Sequence, residues 1–432
     1  MWRKRSRPQF KPISRGGQNN HMIFDLPLLP APAQKRIAIH VAPAAARALR
    51  SGHPWLFDQG IQRQSHEGQA GDLAVMFDAD RRFIAIGLYD PDSPIRVKVL
   101  HQGQPVTIDA AWLAAKIAQA VRRRDPLLTT QTTACRLIHG ENDGLPGLIL
   151  DRYDQTGVLK LYTLAWLPHL SEVVRGIHAA APLERLVLRL SRTMQGQARR
   201  LGLTDGQVVW GPPVAGPVAF RENGLLFTAD VVQGHKTGFF LDQRDNRARV
   251  GEMAQGRTVL DVFAYNGGFS LYAARGGARA VTSLDVSEPA LQMARHHFTL
   301  NREIREVAAA EHHILMGDAF TTLADLALAG QQFDLVNIDP PSFAKSQSEI
   351  ARALNAYSRL VALGLAVLSP GGILVFSSCS SRVTTEQFFD LVHQMARQEG
   401  RPLRELARTG HASDHPIAFP EGAYLKCLFA QG

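Results

Sequence analysis

Cys379 follows the apolar run Ile373-Leu374-Val375-Phe376-Ser377-Ser378, and Asp339 follows the run Phe333 to Ile338. Both runs read as buried strands, so each side chain is expected at the carboxyl end of a strand, where ligands bind in open α/β sheets. A cysteine there is a candidate nucleophile; the competing role is that of a buried structural cysteine. Asp339 leads into Pro340-Pro341-Ser342-Phe343. The prolines stiffen the loop and remove N–H donors. Carbonyls and the Asp339 carboxyl remain as acceptors, which suits the amino edge of a nucleobase; a rigid strand-end turn is the competing role. Together the thiol and the carboxyl permit a specific reaction. C5 of a pyrimidine is a poor nucleophile, but a thiolate adding to C6 makes C5 enamine-like, so that it attacks an electrophilic methyl. A base then removes the C5 proton and thiolate is eliminated. Methylation of an exocyclic amine needs no thiol: a D/N-P-P-aromatic loop suffices. Here Ser342 follows the prolines and the aromatic Phe343 comes one place later. Cys135 and Cys427, the other two cysteines, read as structural, and the three so spread do not resemble a metal site.

The methyl donor is suggested by a second constellation. Val259-Leu260-Asp261-Val262-Phe263-Ala264-Tyr265-Asn266-Gly267-Gly268-Phe269-Ser270 ends a strand, turns through two glycines and opens a helix. Glycines at such a turn let a ligand approach the backbone. Asp285, 24 residues past Asp261, ends the next strand and is placed to accept both ribose hydroxyls of a nucleoside. A dinucleotide site wants G-x-G-x-x-G around a pyrophosphate, which this stretch lacks, and Asp261 would repel a phosphate. An acidic strand end with a short glycine turn better suits S-adenosylmethionine, which is positive and carries no phosphate. Asp318, in Gly317-Asp318-Ala319-Phe320, is a candidate partner of the adenine amino group, or else a helix cap.

These residues need a parallel sheet. From about residue 226, strand-like runs (Thr258 to Phe263, Ala280 to Leu284, His313 to Met316, Phe333 to Ile338, Gly372 to Ser377) alternate with helical segments such as Ser287 to Leu300 and Ile350 to Leu368. That is the pattern of a doubly wound α/β domain. Two smaller units precede it. Residues 36–103 carry short strands separated by Asp, Pro and Gly turns and read as a β-rich domain. Residues 104–225 combine a helix, Ala111 to Val121, with strands around the turn Gly140 to Gly147. Arg185, Arg189 and Arg192 lie around a strand there, on a solvated face or an RNA-facing patch. Residues 1–35 read as a flexible tail, in which Arg3, Lys4, Arg5, Arg7, Lys11 and Arg15 precede the first acid, Asp25. With 432 residues, 45% of them hydrophobic, the chain has material for about three folded domains. No run is long enough for a membrane helix and the basic start has no apolar segment after it, so a cytoplasmic protein is expected. A net charge of +9 fits an anionic partner without identifying one.

On these residues the chain resembles the bacterial 23S rRNA cytosine-5 methyltransferases that carry a PUA domain. The likeness runs from about Lys35 to the end. It includes Gly52-His53-Pro54-Trp55, the stretch Gly87 to Arg96, Glu141 to Leu148, His235-Lys236-Thr237-Gly238-Phe239-Phe240-Leu241-Asp242-Gln243-Arg244, Asp414-His415-Pro416 and Glu421 to Lys426. The resemblance implies a PUA-like RNA-binding domain, a small α+β linking domain and a Rossmann-like class I methyltransferase domain using S-adenosylmethionine. It implies Cys379 as the catalytic cysteine with Asp339 beside it. It implies cofactor contacts from Asp261, Phe263, Tyr265, Asn266, Gly267, Asp285 and Asp318, and from Gln233, Lys236 and Arg244 in a segment that closes over the cofactor. Pro340, Pro341 and Phe343 are implied at the substrate, and no metal is implied. The implied partner is structured RNA, the large-subunit rRNA, and members of that family commonly form homodimers. Two alternatives stay open: an exocyclic-amine nucleic-acid methyltransferase, and a catalytically silent RNA-binding assembly protein.

Overall fold

The computed structural model describes residues 24–344 and 346–432; the basic run expected in the tail lies outside them. Residues 24–35, expected to be flexible, instead lie against the body of the protein. Phe24, Leu26 and Leu29 pack on the core of the second unit, the Asp25 amide donates to the Val209 carbonyl at 2.7 Å, and the Ala33 amide donates to Asp72 Oδ1 at 2.8 Å. Apolar side chains at these positions gain by leaving water, and proline does not prevent an extended segment from doing so.

The first unit is a six-stranded sheet. Its order is Trp55–Phe57, Ile95–Gln102, Phe83–Tyr89, Leu73–Phe77, Ile37–Val41, Ile61–Gln64, with helix Pro43–Arg50 beside it. The second unit is a five-stranded sheet in the order Val208–Trp210, Arg185–Leu190, Thr156–Leu161, Leu148–Tyr153, Ala134–His139. Because side chains alternate across a strand, one face of this sheet presents Cys135, Leu150, Leu159 and Leu188 to a core shared with helices Ala110–Arg122 and Leu170–Ala180. The other face carries Ala134, Tyr153, Val158 and Val187, which join the core of the last unit. Arg136, Asp151, Lys160 and Arg189 continue that face in alternating register. Arg189 is therefore neither on a solvated face nor turned outward. It is buried, pairs with Asp205 and donates to the carbonyls of Val231 and Gly234.

The last unit holds a seven-stranded sheet in the order Glu311–Met316, Ala280–Asp285, Thr258–Val262, Phe333–Ile338, Leu368–Ser378, Lys426–Gln431, Arg404–Thr409. The first five are parallel, and Lys426–Gln431 is antiparallel to both of its neighbours. Alternate residues of each strand feed two cores: Val259, Leu335 and Val375 on one face, Leu260, Val336 and Phe376 on the other. This is the expected doubly wound sheet. From Thr258–Val262 the chain adds strands first to one side and then, with Phe333–Ile338, to the other. The crevice between these two strand ends is the topological switch point at which such folds bind ligands. The hairpin Val218–Glu222 with Leu225–Ala229 spans the boundary expected at 226; its buried side chains belong to the core of the last unit, and Glu222 pairs in bidentate fashion with Arg247 at 2.9 and 2.7 Å.

A buried polar hub locks the second unit to the last. Asp414 accepts from Arg244 Nη2 at 2.9 Å and from the Arg136 amide at 2.7 Å, while its carbonyl accepts from Arg124. Burial pushes its carboxyl up, but His415 and Arg244 hold it well below the usual carboxylate range. Among the described residues no helix is long and apolar enough to cross a membrane.

Candidate active site

The nucleoside side of the site begins at Asp261. It is buried, accepts the Ser270 amide and hydroxyl through Oδ2 at 2.9 and 2.6 Å, and accepts Asn337 Nδ2 through Oδ1 at 2.8 Å. Burial pushes its carboxyl up to about 6. With both oxygens engaged by protein, it ties the turn to the following helix and the neighbouring strand, which is a positioning role. In the turn, Phe263 and Tyr265 both adopt left-handed φ, 62° and 49°, a conformation that costs a non-glycine residue and concentrates at functional sites. The turn is pinned by the Ala264 amide on the Leu284 carbonyl, the Tyr265 amide on Asp285 Oδ2, and the contact between His297 Nδ1 and the Asn266 carbonyl at 2.9 Å.

Gly267 has φ 74°, and a Cβ there would stand 2.7 Å from that of Ala294. The glycine thus permits close helix packing. Gly267→Ala is expected to lower stability by about 1–2 kcal/mol, combining left-handed strain with overpacking; urea unfolding checks this.

Asp285 accepts one backbone amide on each oxygen, from Ser287 and Tyr265, and each oxygen keeps a lone pair for a ribose hydroxyl. Met316 is its register partner on the next strand. Met316 and Val286 are 62% and 74% exposed, large apolar side chains left uncovered at the strand ends. They are suited to the faces of an adenine, and sequence reading passes over them because a lone Val or Met carries no motif. Asp318 caps helix Ala319–Leu328 through Oδ1, donated to by Phe320 and Thr321, so the cap role holds; Oδ2 remains available to a ligand. Free carboxylate acceptors, exposed apolar surfaces and no cradle of amides for a phosphate fit a nucleoside carrying a positive sulfonium.

The chemical side lies across the crevice. Cys379 Sγ–H points to the Pro340 carbonyl at 3.8 Å, joining the two strand-end loops. Of the three cysteines it alone is partly accessible; Cys135 and Cys427 are buried. Burial pushes its thiol up to about 11, the Asp339 charge pushes the same way and Lys236 opposes both. Asp339 is half-buried and accepts Gln243 Nε2 at 2.9 Å. Burial, with the charges of Asp242 and Asp261, raises its carboxyl to about 7. Gln243 is itself held by Asn246 at 2.6 Å, and Asn246 by Thr409. Lys236, in left-handed φ, lies 3.3 Å from Asp242 and 4.6 Å from the centre of the Phe240 ring. Asp242 also accepts the Tyr424 hydroxyl at 2.7 Å.

Two expected contacts, Arg244 and Phe343, are differently placed. Arg244 is buried and its guanidinium binds Asp414, Ser413 and Asp245, which makes it a strut of the hub rather than a group free to reach a cofactor. Phe343 is partly buried and packs on Tyr357, ring centres 5.3 Å apart, at the margin of the core. Gln233 is exposed, and its backbone N–H donates to Asp230 Oδ1 at 2.8 Å. Pro340 is buried and contributes the carbonyl facing Cys379, while Pro341 is exposed.

Lys426 is the residue that motif reading leaves without a role. Its buried ammonium donates to the carbonyls of Ser380 and Val383 at 2.6 and 2.8 Å, clamping the loop that carries Cys379. Burial lowers it to about 8, and Cys379 partly offsets that. Lys426→Met is expected to slow both methyl transfer and iodoacetamide alkylation of Cys379 at pH 8 by roughly tenfold, with partial rescue by Lys426→Arg. Alkylation reports Cys379 selectively because the other two thiols are buried.

Comparison with known proteins adds the following. A family model described as S-adenosylmethionine-dependent methyltransferase matches residues 197–429, and a PUA-like domain model matches residues 39–102. A Deinococcus radiodurans protein named "Ribosomal RNA large subunit methyltransferase" is 47% identical over 407 residues, 93% of this chain and 99% of that one. A Tolumonas auensis protein named "Ribosomal RNA large subunit methyltransferase I" is 36% identical over 388 residues, 88% and 96% of the two chains. A solved structure from Streptococcus mutans, described as a SAM-dependent methyltransferase, superposes with a TM-score of 0.78 at 22% identity, covering 91% of this chain and all of that one. Another solved structure, complexed with SAH, gives 0.77 at 21% identity with 91% of this chain covered and 100% of that one.

Proposed function

The chain belongs to the S-adenosylmethionine-dependent methyltransferase family, and we propose that it methylates C5 of a cytosine in large-subunit ribosomal RNA, in the cytoplasm, through an adduct on Cys379. The observation that carries the chemistry is the meeting of Cys379 with the Asp339–Pro340 loop at the switch-point crevice. The RNA substrate rests on the names of the two relatives and on the PUA-like domain, a module suited to structured RNA.

At neutral pH Cys379 is a thiol and Asp339, raised to about 7, is about half ionised. Asp339 takes the Sγ proton as Sγ bonds to C6, and delivers it to N3 as the ring electrons move from C5=C6 through C4 to N3. The ring is then an enamine with its reactive carbon at C5. S-adenosylmethionine supplies, when bound, the electrophilic methyl that this carbon takes. A base passes the C5 proton to solvent as C5=C6 re-forms and Sγ is expelled as thiolate, and the N3 proton returns through Asp339 to Sγ. The target base must leave its stack to reach the crevice. Asp285, Asp318, Val286 and Met316 hold the nucleoside, with Asp261 and the strained turn fixing the wall beside it. Lys236, half-exposed over the mouth, covers the site from the segment 233–240. Phe343, partly buried against Tyr357, is less free to stack on a flipped base, which favours C5 over an exocyclic amine.

Nucleoside mass spectrometry of large-subunit rRNA from cells with and without the protein tests this. 5-Methylcytidine should appear only with the protein; N4-methylcytidine in its place contradicts the proposal.

A further inference from the structure

One exposed aromatic side chain is linked through two lysines to the nucleophile and has no role in the chemistry above. Tyr162 follows strand Thr156–Leu161 and is 48% exposed. Its amide donates to the Gly147 carbonyl at 2.9 Å, which fixes its backbone. By strand alternation it lies on the same face as Val158 and Lys160, the face turned toward the last unit, whereas Leu159 and Leu161 enter the opposite core. Lys160 lies 5.5 Å from the centre of the Tyr162 ring and donates to the Lys236 carbonyl at 2.9 Å. The Lys236 ammonium is in turn among the charges felt by Cys379. Tyr162 is accessible, yet burial raises its hydroxyl, as expected of a ring on the wall of a cleft. Its exposed ring therefore has the Lys160 ammonium beside it, and Lys160 in turn holds the backbone of Lys236, whose charge reaches Cys379. An aromatic face with cations beside it matches a nucleobase joined to its phosphate.

We propose that Tyr162 is the stacking platform for the nucleotide that flanks the target cytosine in the RNA. The second unit would then contribute directly to substrate binding. The proposal rests on the RNA-methyltransferase reading above.

The test uses the full chain and unmodified large-subunit rRNA transcribed in vitro. The KM for RNA is measured for wild type, Tyr162→Phe and Tyr162→Ala, with S-adenosylmethionine affinity as the control for folding. Tyr162→Ala should raise the RNA KM at least about fivefold, whereas Tyr162→Phe, which keeps the ring, stays within about twofold of wild type. An alanine variant within twofold, or a phenylalanine variant as impaired as alanine, overturns the proposal. Should the alanine variant lose cofactor binding, Tyr162→Trp decides: a KM at or below wild type supports stacking, and a rise of about fivefold overturns it. Failure of the wild-type protein to methylate the RNA marks failure of the underlying reading, which the variants do not enter.

Discussion

Cys379→Ala abolishes methyl transfer, with an expected loss of at least about a thousandfold, while S-adenosylmethionine binds with wild-type affinity. The size of the loss follows from the chemistry. Without Sγ at C6, C5 of cytosine has no means of becoming nucleophilic, and no neighbouring side chain substitutes for it. Ser378 and Ser380 are buried and hydrogen-bonded, to Tyr357 and to the Ala344 carbonyl. The survival of cofactor binding follows from the geometry. Cys379 faces Pro340, whereas the proposed ribose and adenine positions lie at the ends of strands Ala280–Asp285 and Glu311–Met316. Activity assays and calorimetric titration with the cofactor separate the two outcomes. Loss of both together would assign the cysteine to the fold.

Asp339→Asn is expected to reduce the rate by about 10² to 10⁴ and to change its dependence on pH. In wild type the resting state holds the proton on sulfur and the charge on Asp339. With Asp339 near 7 and Cys379 near 11, the rate should rise about tenfold per pH unit below 7 and level off above it. Asparagine keeps the bond with Gln243 but carries no proton to N3, so that limb disappears. The same substitution should stabilise the fold. The Asp339 carboxyl is raised above its unfolded value, so the native state binds this proton more tightly and wild-type stability falls as pH rises from about 4 to about 7. Removing the ionisable group should recover about 1–2 kcal/mol at pH 8, after allowance for its partial solvent contact, and less at pH 5. Thermal melts at the two pH values check the sign.

The parallel sheet is legible in the sequence because alternating βα segments leave a strong local signal. Its strand ends then mark Asp261, Asp285, Asp318, Asp339 and Cys379 without reference to any contact. What local pattern does not carry is how many of a side chain's bonding positions the protein itself fills. Asp261 and Asp285 look alike as strand-end acids, yet the first is buried with three protein donors on its carboxylate, and the second is part-exposed with only two. Arg244 sits in a recognisable segment but meets Asp414, 170 residues away in sequence, and only the fold creates that pair. Gln243 and Lys426 are missed for the same reason: each acts on a group brought near by the sheet, Asp339 in one case and the loop after Cys379 in the other. Residues 24–35 are misread because proline content outweighs Phe24, Leu26 and Leu29, whose value appears only against the second unit's core. Arg189 reads as a surface charge because the second face of its sheet is covered by a separate unit of the chain.

The most direct measurement uses large-subunit rRNA transcribed with cytidine tritiated at C5 and S-adenosylmethionine carrying a radiocarbon methyl. Methylation at C5 must displace the C5 hydrogen, so one tritium should pass to water for each methyl incorporated. Methyl incorporation without tritium release would place the product on another atom and contradict the account.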